Sequence, residues 1–115
     1  MRYAYVVTWK GAIPGREKFA LDYGYEVNEY WGKLAADGKC SEPETFFFPD
    51  GHGMWMVKGE FAPLEKLWMT DEAQHLLVKG HYVLEDFGFE FVRTGDAADQ
   101  FMGLFADVGK EFAFS

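Results

Sequence analysis

Four polar side chains in the second half of the sequence have the chemistry needed for proton transfer or anion binding. His75 lies in a helical stretch, and His81 lies where that stretch gives way to the last predicted strand. Histidine changes its charge near neutral pH, so either ring could act as a general acid or base. Glu90, on the last strand, could also act as a base, and Arg93 could anchor an anion. We take His75 and Glu90 as candidate catalytic residues, although an ordinary solvent-exposed role explains both more simply.

Aromatic side chains could form a binding surface for a flat, apolar molecule. The sequence contains 12 Phe, 6 Tyr and 4 Trp residues, which is more than a small core usually needs. Trp55 and Trp68, together with Tyr30 from the first predicted helix, could stack on such a ligand and orient it through their N–H and O–H groups. With His81, these are the predicted pocket residues. The alternative is that the rings only fill the core.

The sequence has no motif for a metal, a nucleotide cofactor or a covalent catalyst. His75 and His81 are not spaced four residues apart on one helix, as a helical metal site requires. The chain also lacks Gly-x-Gly-x-x-Gly, a phosphate-binding loop, a nucleophile elbow and Cys-x-x-Cys. We therefore expect no metal and no cofactor.

Charge and composition limit the classes of partner. The formal net charge is -8, so the long-range field repels phosphate backbones and anionic lipid. RNA-recognition domains share the predicted order of elements and carry aromatic residues where residues 53–57 stand here, but the basic residues that accompany them are missing. We expect no nucleic acid and no membrane partner. One cysteine, Cys40, and the absence of a signal-peptide pattern favour a cytoplasmic protein.

The elements that must position these residues follow from hydrophobic periodicity. Residues 2–9 carry apolar side chains on both faces, which is typical of a central strand, and residues 16–37 have helical spacing that stops at Gly38. A second strand over about residues 40–48, flanked by prolines, is predicted at an edge. It turns at residues 50–53 into a second central strand over residues 54–60.

The second half is predicted to contain a broken helix, a last strand and a further helix. Thr70 is predicted to be the N-cap of a new helix, which divides the second helix in two. The last strand covers roughly residues 81–94, and Gly95 opens a final helix with an apolar stripe. The tail, residues 112–115, either docks on a partner or frays.

Placing the helices by the right-handed crossover rule gives an α+β fold of ferredoxin-like βαββαβ type, with strand order 4-1-3-2 and two helices on one face of an antiparallel sheet. Residues 1–95 form this domain. Residues 96–115 form a helical extension that packs on the same domain or on a partner subunit. The other face of the sheet must be buried by the C-terminal segment, by a ligand or by a second copy.

This pattern resembles the dimeric α+β-barrel group, in which two ferredoxin-like sheets pair face to face. The resemblance covers about residues 2–94 and rests on Pro14-Gly15 before the first helix, on the Asp50-Gly51 hairpin and on residues 67–72. That last segment resembles the Trp-x-Ser/Thr stretch of antibiotic-biosynthesis-monooxygenase-like members. The group includes cofactor-free monooxygenases, isomerases, haem-degrading enzymes and stress proteins, so the resemblance implies a homodimer with a pocket rather than one reaction.

Three functional hypotheses follow. The first is a homodimer that binds a small apolar or aromatic molecule in a cavity between sheet and helices. The second is a cofactor-independent monooxygenase or isomerase, in which a His or Glu moves a proton. The third is a non-catalytic stress or assembly protein, in which the aromatic residues serve only core and dimer contacts.

Overall fold

The computed structural model describes residues 1–113 and shows a mixed α+β protein with an antiparallel sheet. Four strands form the main sheet in the order β3-β4-β1-β6, so β1 and β4 are central. A separate two-stranded sheet joins β2 to β5. The strands are β1 (Tyr3–Trp9), β2 (Gly11–Ala12), β3 (Glu44–Phe47), β4 (Gly53–Gly59), β5 (Leu84–Glu85) and β6 (Gly88–Arg93).

Four α-helices and a final 3-10 turn complete the described chain. Helix α1 has the sequence-predicted extent to within a residue and is followed by Gly38, whose positive φ of 74° suits a glycine at a helix end. The predicted break of the second helix is confirmed, because the Thr70 side chain accepts a hydrogen bond from the Ala73 N–H as an N-cap. The helices are α1 (Glu17–Ala36), α2 (Phe61–Trp68), α3 (Asp71–Gly80) and α4 (Gly95–Gly109), with the 3-10 turn at Lys110–Phe112.

The two faces of the main sheet differ in what covers them. Tyr5 on β1 pairs directly with Val57 on β4 and with Phe91 on β6, so these three side chains share one face. Helices α1, α2 and α3 pack on that face through Trp31, Leu64 and Ala73. We call it the helix face.

Helices α1, α2 and α3 do not cover the opposite side of the sheet, which we call the open face. Val6 at its centre is enclosed by its neighbours, Met54, Met56 and Val92 are half-buried, and Phe46 is exposed. Helix α4 does not close this face, because every side chain from residue 99 to residue 113 is exposed.

The radius of gyration is 16.8 Å, whereas a compact domain of this length has about 13 Å. The described chain is therefore elongated.

Two expectations about strands need correction. The predicted last strand over residues 81–94 is two strands, β5 and β6, separated by Asp86 with a positive φ of 49°. Such a residue breaks a strand because its backbone lies in the left-handed region. The predicted break after the first strand contains β2, which pairs with β5. The last two residues of the predicted extension 96–115 lie outside the described residues.

Gly53 on β4 lies where the chain passes closest to its neighbours. A Cβ there would be 2.6 Å from the Phe46 carbonyl oxygen and 2.6 Å from the Trp9 ring. Because a backbone atom of the paired strand cannot move aside easily, we expect Gly53→Ala to lower the free energy of unfolding by about 1–3 kcal/mol. Gly24→Ala is the control, because a Cβ at this exposed position on α1 meets nothing within 4 Å; it should stabilise the protein by up to about 1 kcal/mol. Urea unfolding measures both, and equal effects would contradict the close approach of the Phe46 backbone and the Trp9 ring to Gly53.

Candidate functional site

Tyr5 and Trp68 form the centre of an aromatic cluster on the helix face. Tyr5 is held by the central strand β1 and is 4% exposed, and Trp68 is the last residue of α2. Their ring centroids are 6.3 Å apart. Phe91 on β6 contacts both, at centroid distances of 5.5 Å to Tyr5 and 5.4 Å to Trp68. Phe89, which is 39% exposed, lies 5.6 Å from the Trp68 ring and borders the solvent.

The indole N–H of Trp68 is buried and has no hydrogen-bond acceptor among residues 1–113. Trp nitrogen can only donate, so nothing except an acceptor oxygen or nitrogen would satisfy it. A buried donor without a partner costs about 1–3 kcal/mol. The other indoles differ, because the Trp55 Nε1 donates to Asn28 Oδ1 at 2.8 Å and the Trp9 Nε1 donates to the Gly51 carbonyl at 3.3 Å.

The Tyr5 hydroxyl adds a second polar group to the same apolar surroundings. Burial raises the pKa of Tyr5 to about 12, and the nearby Trp68 N–H partly opposes this rise although the two groups do not reach hydrogen-bond geometry. Tyr5 is therefore neutral at pH 7. The pair offers a phenol O–H and an indole N–H to any molecule that reaches it.

Tyr5 also gives a pH dependence that can be measured. Above pH 10 the unfolded chain releases the Tyr5 proton, whereas the folded protein keeps it until about pH 12. The free energy of unfolding should therefore fall by about 1.4 kcal/mol per pH unit in this window. Tyr5→Phe should remove that part of the slope in urea unfolding at pH 10–11.5, leaving the part due to Tyr23, whose pKa burial also raises. A slope equal to that of the wild type would contradict the burial of the Tyr5 hydroxyl.

The predicted pocket residues do not line one cavity. Trp55 is a core residue, 5% exposed, whose ring lies 5.9 Å from those of Tyr5 and Trp31. Tyr30 contacts the edge of Trp31 and hydrogen-bonds through its hydroxyl to Thr70 Oγ1 at 3.1 Å. Trp55 and Trp68 both reach Tyr5, and Tyr30 lies on the outer side of the helix layer.

His75 and Tyr30 meet in a groove between α1 and α3 with a volume of about 790 Å³. The groove also carries Lys33 and four carboxylates, those of Glu26, Glu29, Asp71 and Glu72. It faces water, and His75 is exposed. No group of three or more His, Cys, Asp or Glu side chains in the described part of the chain is arranged to hold a metal ion.

His81 and Glu90 lie elsewhere. His81 caps the end of α3, where its Nδ1 is 3.1 Å from the Leu77 carbonyl and its ring contacts the edge of Phe87 at 4.8 Å. Glu90 is exposed and pairs with Val6, so it lies on the open face. His75 and Glu90 are thus on opposite sides of the sheet and cannot act together on one substrate. Arg93 stacks on the Phe101 ring of α4, 4.0 Å from its centroid.

Tyr5 is the site residue that the sequence did not single out. It stands in the alternating series of the first strand, where every second residue is apolar or aromatic and nothing distinguishes one position from the next. Tyr5 becomes part of the aromatic cluster because its strand register places it opposite Phe91 and because Trp68, at the end of α2, packs against its ring.

Comparison with solved structures finds a similar fold in the crystal structure of NE2512, a protein of unknown function from Nitrosomonas europaea. The two share 17% sequence identity with a TM-score of 0.58, over 81% of this chain and 88% of that chain. At this identity the likeness shows the fold alone. No protein-family model and no curated protein matches the chain. No helix within residues 1–113 is long and apolar enough to cross a membrane.

Proposed function

We propose that the chain forms a homodimer of ferredoxin-like subunits, paired as a dimeric α+β barrel, and that each subunit binds a small apolar or aromatic molecule between sheet and helices. The ligand lies against Trp68 and carries a hydrogen-bond acceptor. One observation carries the binding proposal: the Trp68 N–H is buried in an aromatic cluster and lacks an acceptor among the described residues. A ligand oxygen would remove the cost of that unpaired donor.

The shape of the cluster indicates how a ligand would enter. Phe89 is on the edge strand β6 and is 39% exposed, and it lies directly beside Trp68. In the proposed binding mode the Phe89 side chain moves aside and the ligand approaches Trp68 from this edge of the sheet. The walls left behind, Trp68, Phe91 and Tyr5, are aromatic and suit a flat molecule.

The homodimer is supported by the open face. Met54 and Met56 are half-buried on the central strand β4, and Val92 is half-buried on the edge strand β6. Apolar side chains on a sheet face that no helix from α1 to α3 covers are typical of a surface that pairs with another sheet. The geometry favours binding over a cofactor-independent monooxygenase or isomerase, because the candidate catalytic residues His75 and Glu90 lie on opposite sides of the sheet.

A non-catalytic assembly protein is the second candidate, and a specific observation favours it. The space between sheet and helices is filled by Trp31, Trp55 and Tyr5, which are 2%, 5% and 4% exposed. A protein whose aromatic residues serve only packing and dimer contacts would look like this. Ligand binding distinguishes the two candidates.

Equilibrium dialysis against two probes of similar shape tests the binding proposal. Acetophenone carries a carbonyl acceptor and ethylbenzene does not. We expect acetophenone to bind about tenfold more tightly, which corresponds to about 1.4 kcal/mol. Trp68→Phe keeps an aromatic ring but removes the donor, so it should abolish this preference.

Trp9→Phe is the matched control, because the Trp9 N–H already donates to the Gly51 carbonyl. This variant should keep the preference for acetophenone. If acetophenone does not bind, or binds no better than ethylbenzene, the binding proposal is wrong and the assembly protein is favoured.

A further inference from the structure

A second cavity lies where the start of α1 meets the turn between α3 and β5. Its volume is about 440 Å³, within the range of about 300–1,000 Å³ that is usual for small-molecule sites. We call this cavity, lined by residues from Arg16 to Tyr23 and from Lys79 to Val83, the corner pocket. It shares no residue with the aromatic cluster around Trp68 or with the groove that contains His75.

The inner wall of the corner pocket is apolar and is held in place by hydrogen bonds. Tyr23 and Val83 line the pocket and are buried. The Tyr23 hydroxyl donates to the Leu76 carbonyl at 2.7 Å, and the Ile13 N–H donates to the Val83 carbonyl at 2.9 Å. These bonds join α1 to α3 and the chain before α1 to the turn before β5, so the pocket is preformed by the fold.

Two aromatic side chains at the rim of the corner pocket are exposed. Phe19 lies on α1, and Tyr82 lies on the turn after α3. A single exposed apolar residue is normal on a protein surface. Two aromatic rings that line the same pocket offer a flat ligand two surfaces to pack against.

The charges around the corner pocket favour an anion. Lys79 pairs with Glu26 at 2.7 Å, and Asp22 pairs with Lys18 at 2.9 Å. Arg16 is the remaining charged side chain of the lining, and no carboxylate among residues 1–113 pairs with it. The surroundings are therefore locally positive, although the chain as a whole has a formal net charge of -8.

The Arg16 guanidinium is oriented at the pocket. Its Nη1 donates a hydrogen bond to the Tyr82 carbonyl, which ties the side chain to the opposite wall. A guanidinium presents five N–H groups in a planar fork that matches the two oxygens of a carboxylate. The N–H groups of Arg16 that do not reach Tyr82 have no acceptor among residues 1–113. A ligand carboxylate would accept from two of them.

We propose that the corner pocket binds a small aromatic carboxylate. The carboxylate pairs with the Arg16 guanidinium, and the ring packs against Phe19 and Tyr82. This ligand differs from the one proposed at Trp68, which needs only a neutral acceptor. The site also stands without the homodimer, because it shares no residue with the open face.

Titration of the full chain with three probes at pH 7, followed by ¹H–¹⁵N spectra, tests the proposal. Benzoate carries both the ring and the carboxylate, benzyl alcohol carries the ring alone, and acetate carries the carboxylate alone. Hydrogen bonds between charged groups are about twice as strong as neutral ones, and the ring adds aromatic contacts. We therefore expect benzoate to bind at least about tenfold more tightly than either of the other two.

Arg16→Gln removes the charge and the planar fork, so it should weaken benzoate binding at least about tenfold and have little effect on benzyl alcohol. Lys33→Gln is the matched control, because it removes the same charge from an exposed position on α1 outside the pocket. It should bind benzoate as the wild type does. Phe19→Ala should weaken benzoate binding about threefold or more without changing the affinity for acetate.

Trp68→Phe separates this site from the one proposed at Trp68. Benzoate in the corner pocket should bind this variant with wild-type affinity. The proposal is overturned if benzoate binds no better than benzyl alcohol or acetate, or if Arg16→Gln keeps the wild-type affinity. Loss of benzoate binding in Trp68→Phe alone also overturns it and instead supports a ligand at Trp68. Failure of acetophenone to bind at Trp68 leaves the corner pocket unaffected.

Discussion

Met56→Glu is expected to convert the proposed homodimer into a folded monomer. Met56 is half-buried at the centre of the open face, where β4 lies between β1 and β3. In the proposed homodimer the new carboxylate would be buried without a partner, which costs at least about 3 kcal/mol. That cost weakens association more than about a hundredfold. Light scattering at micromolar concentration should give a mass near 13.2 kDa for the variant and twice that for the wild type.

Met69→Glu is the matched control for this substitution. Met69 follows α2 and is 60% exposed on the helix side of the sheet, so the same change there should leave the dimer intact. Circular dichroism confirms that both variants are folded. If Met56→Glu remains a dimer with wild-type affinity, the open face is not the interface.

Trp31→Ala is expected to lower the free energy of unfolding by about 3–5 kcal/mol. Trp31 is 2% exposed and lies where α1 meets the sheet, with the Tyr5 ring at 5.6 Å and the Trp55 ring at 5.9 Å. Removing it leaves a cavity that rigid aromatic neighbours cannot fill. Urea unfolding followed by circular dichroism measures the loss.

Tyr25→Ala on the same helix provides the comparison. Tyr25 is 68% exposed, so its removal should change the free energy of unfolding by no more than about 0.5 kcal/mol. A loss below about 1 kcal/mol for Trp31→Ala would contradict the burial of its ring between α1 and the sheet.

Much of the architecture could be predicted because hydrophobic periodicity reports burial directly. The strands at residues 3–9 and 53–59 carry apolar side chains on both faces, and both are central. Thr70 marked the break between α2 and α3 because a threonine before two acidic residues is a strong N-cap signal. The short pair β2–β5 was missed because two-residue strands have no measurable period.

The candidate site was only partly predictable, because periodicity does not report which buried side chains meet. The sequence identifies Trp68 as a candidate pocket residue. It does not show that the Trp68 N–H lacks an acceptor among residues 1–113, whereas the Trp55 N–H donates to Asn28 Oδ1. The sequence does not single out Tyr5, because most of its neighbours on β1 are also apolar or aromatic. His75 and Glu90 fell on different sides of the sheet, which depends on strand register and helix placement together.

The most direct test of the proposed binding site is the ¹H–¹⁵N spectrum of the four Trp indole groups during addition of acetophenone. The Trp68→Phe variant assigns the Trp68 resonance. The proposed function predicts that this resonance moves downfield on titration, because its N–H gains an acceptor, and that the Trp55 resonance keeps its position because the bond to Asn28 is unchanged. An unchanged Trp68 resonance at saturating acetophenone would contradict the proposal.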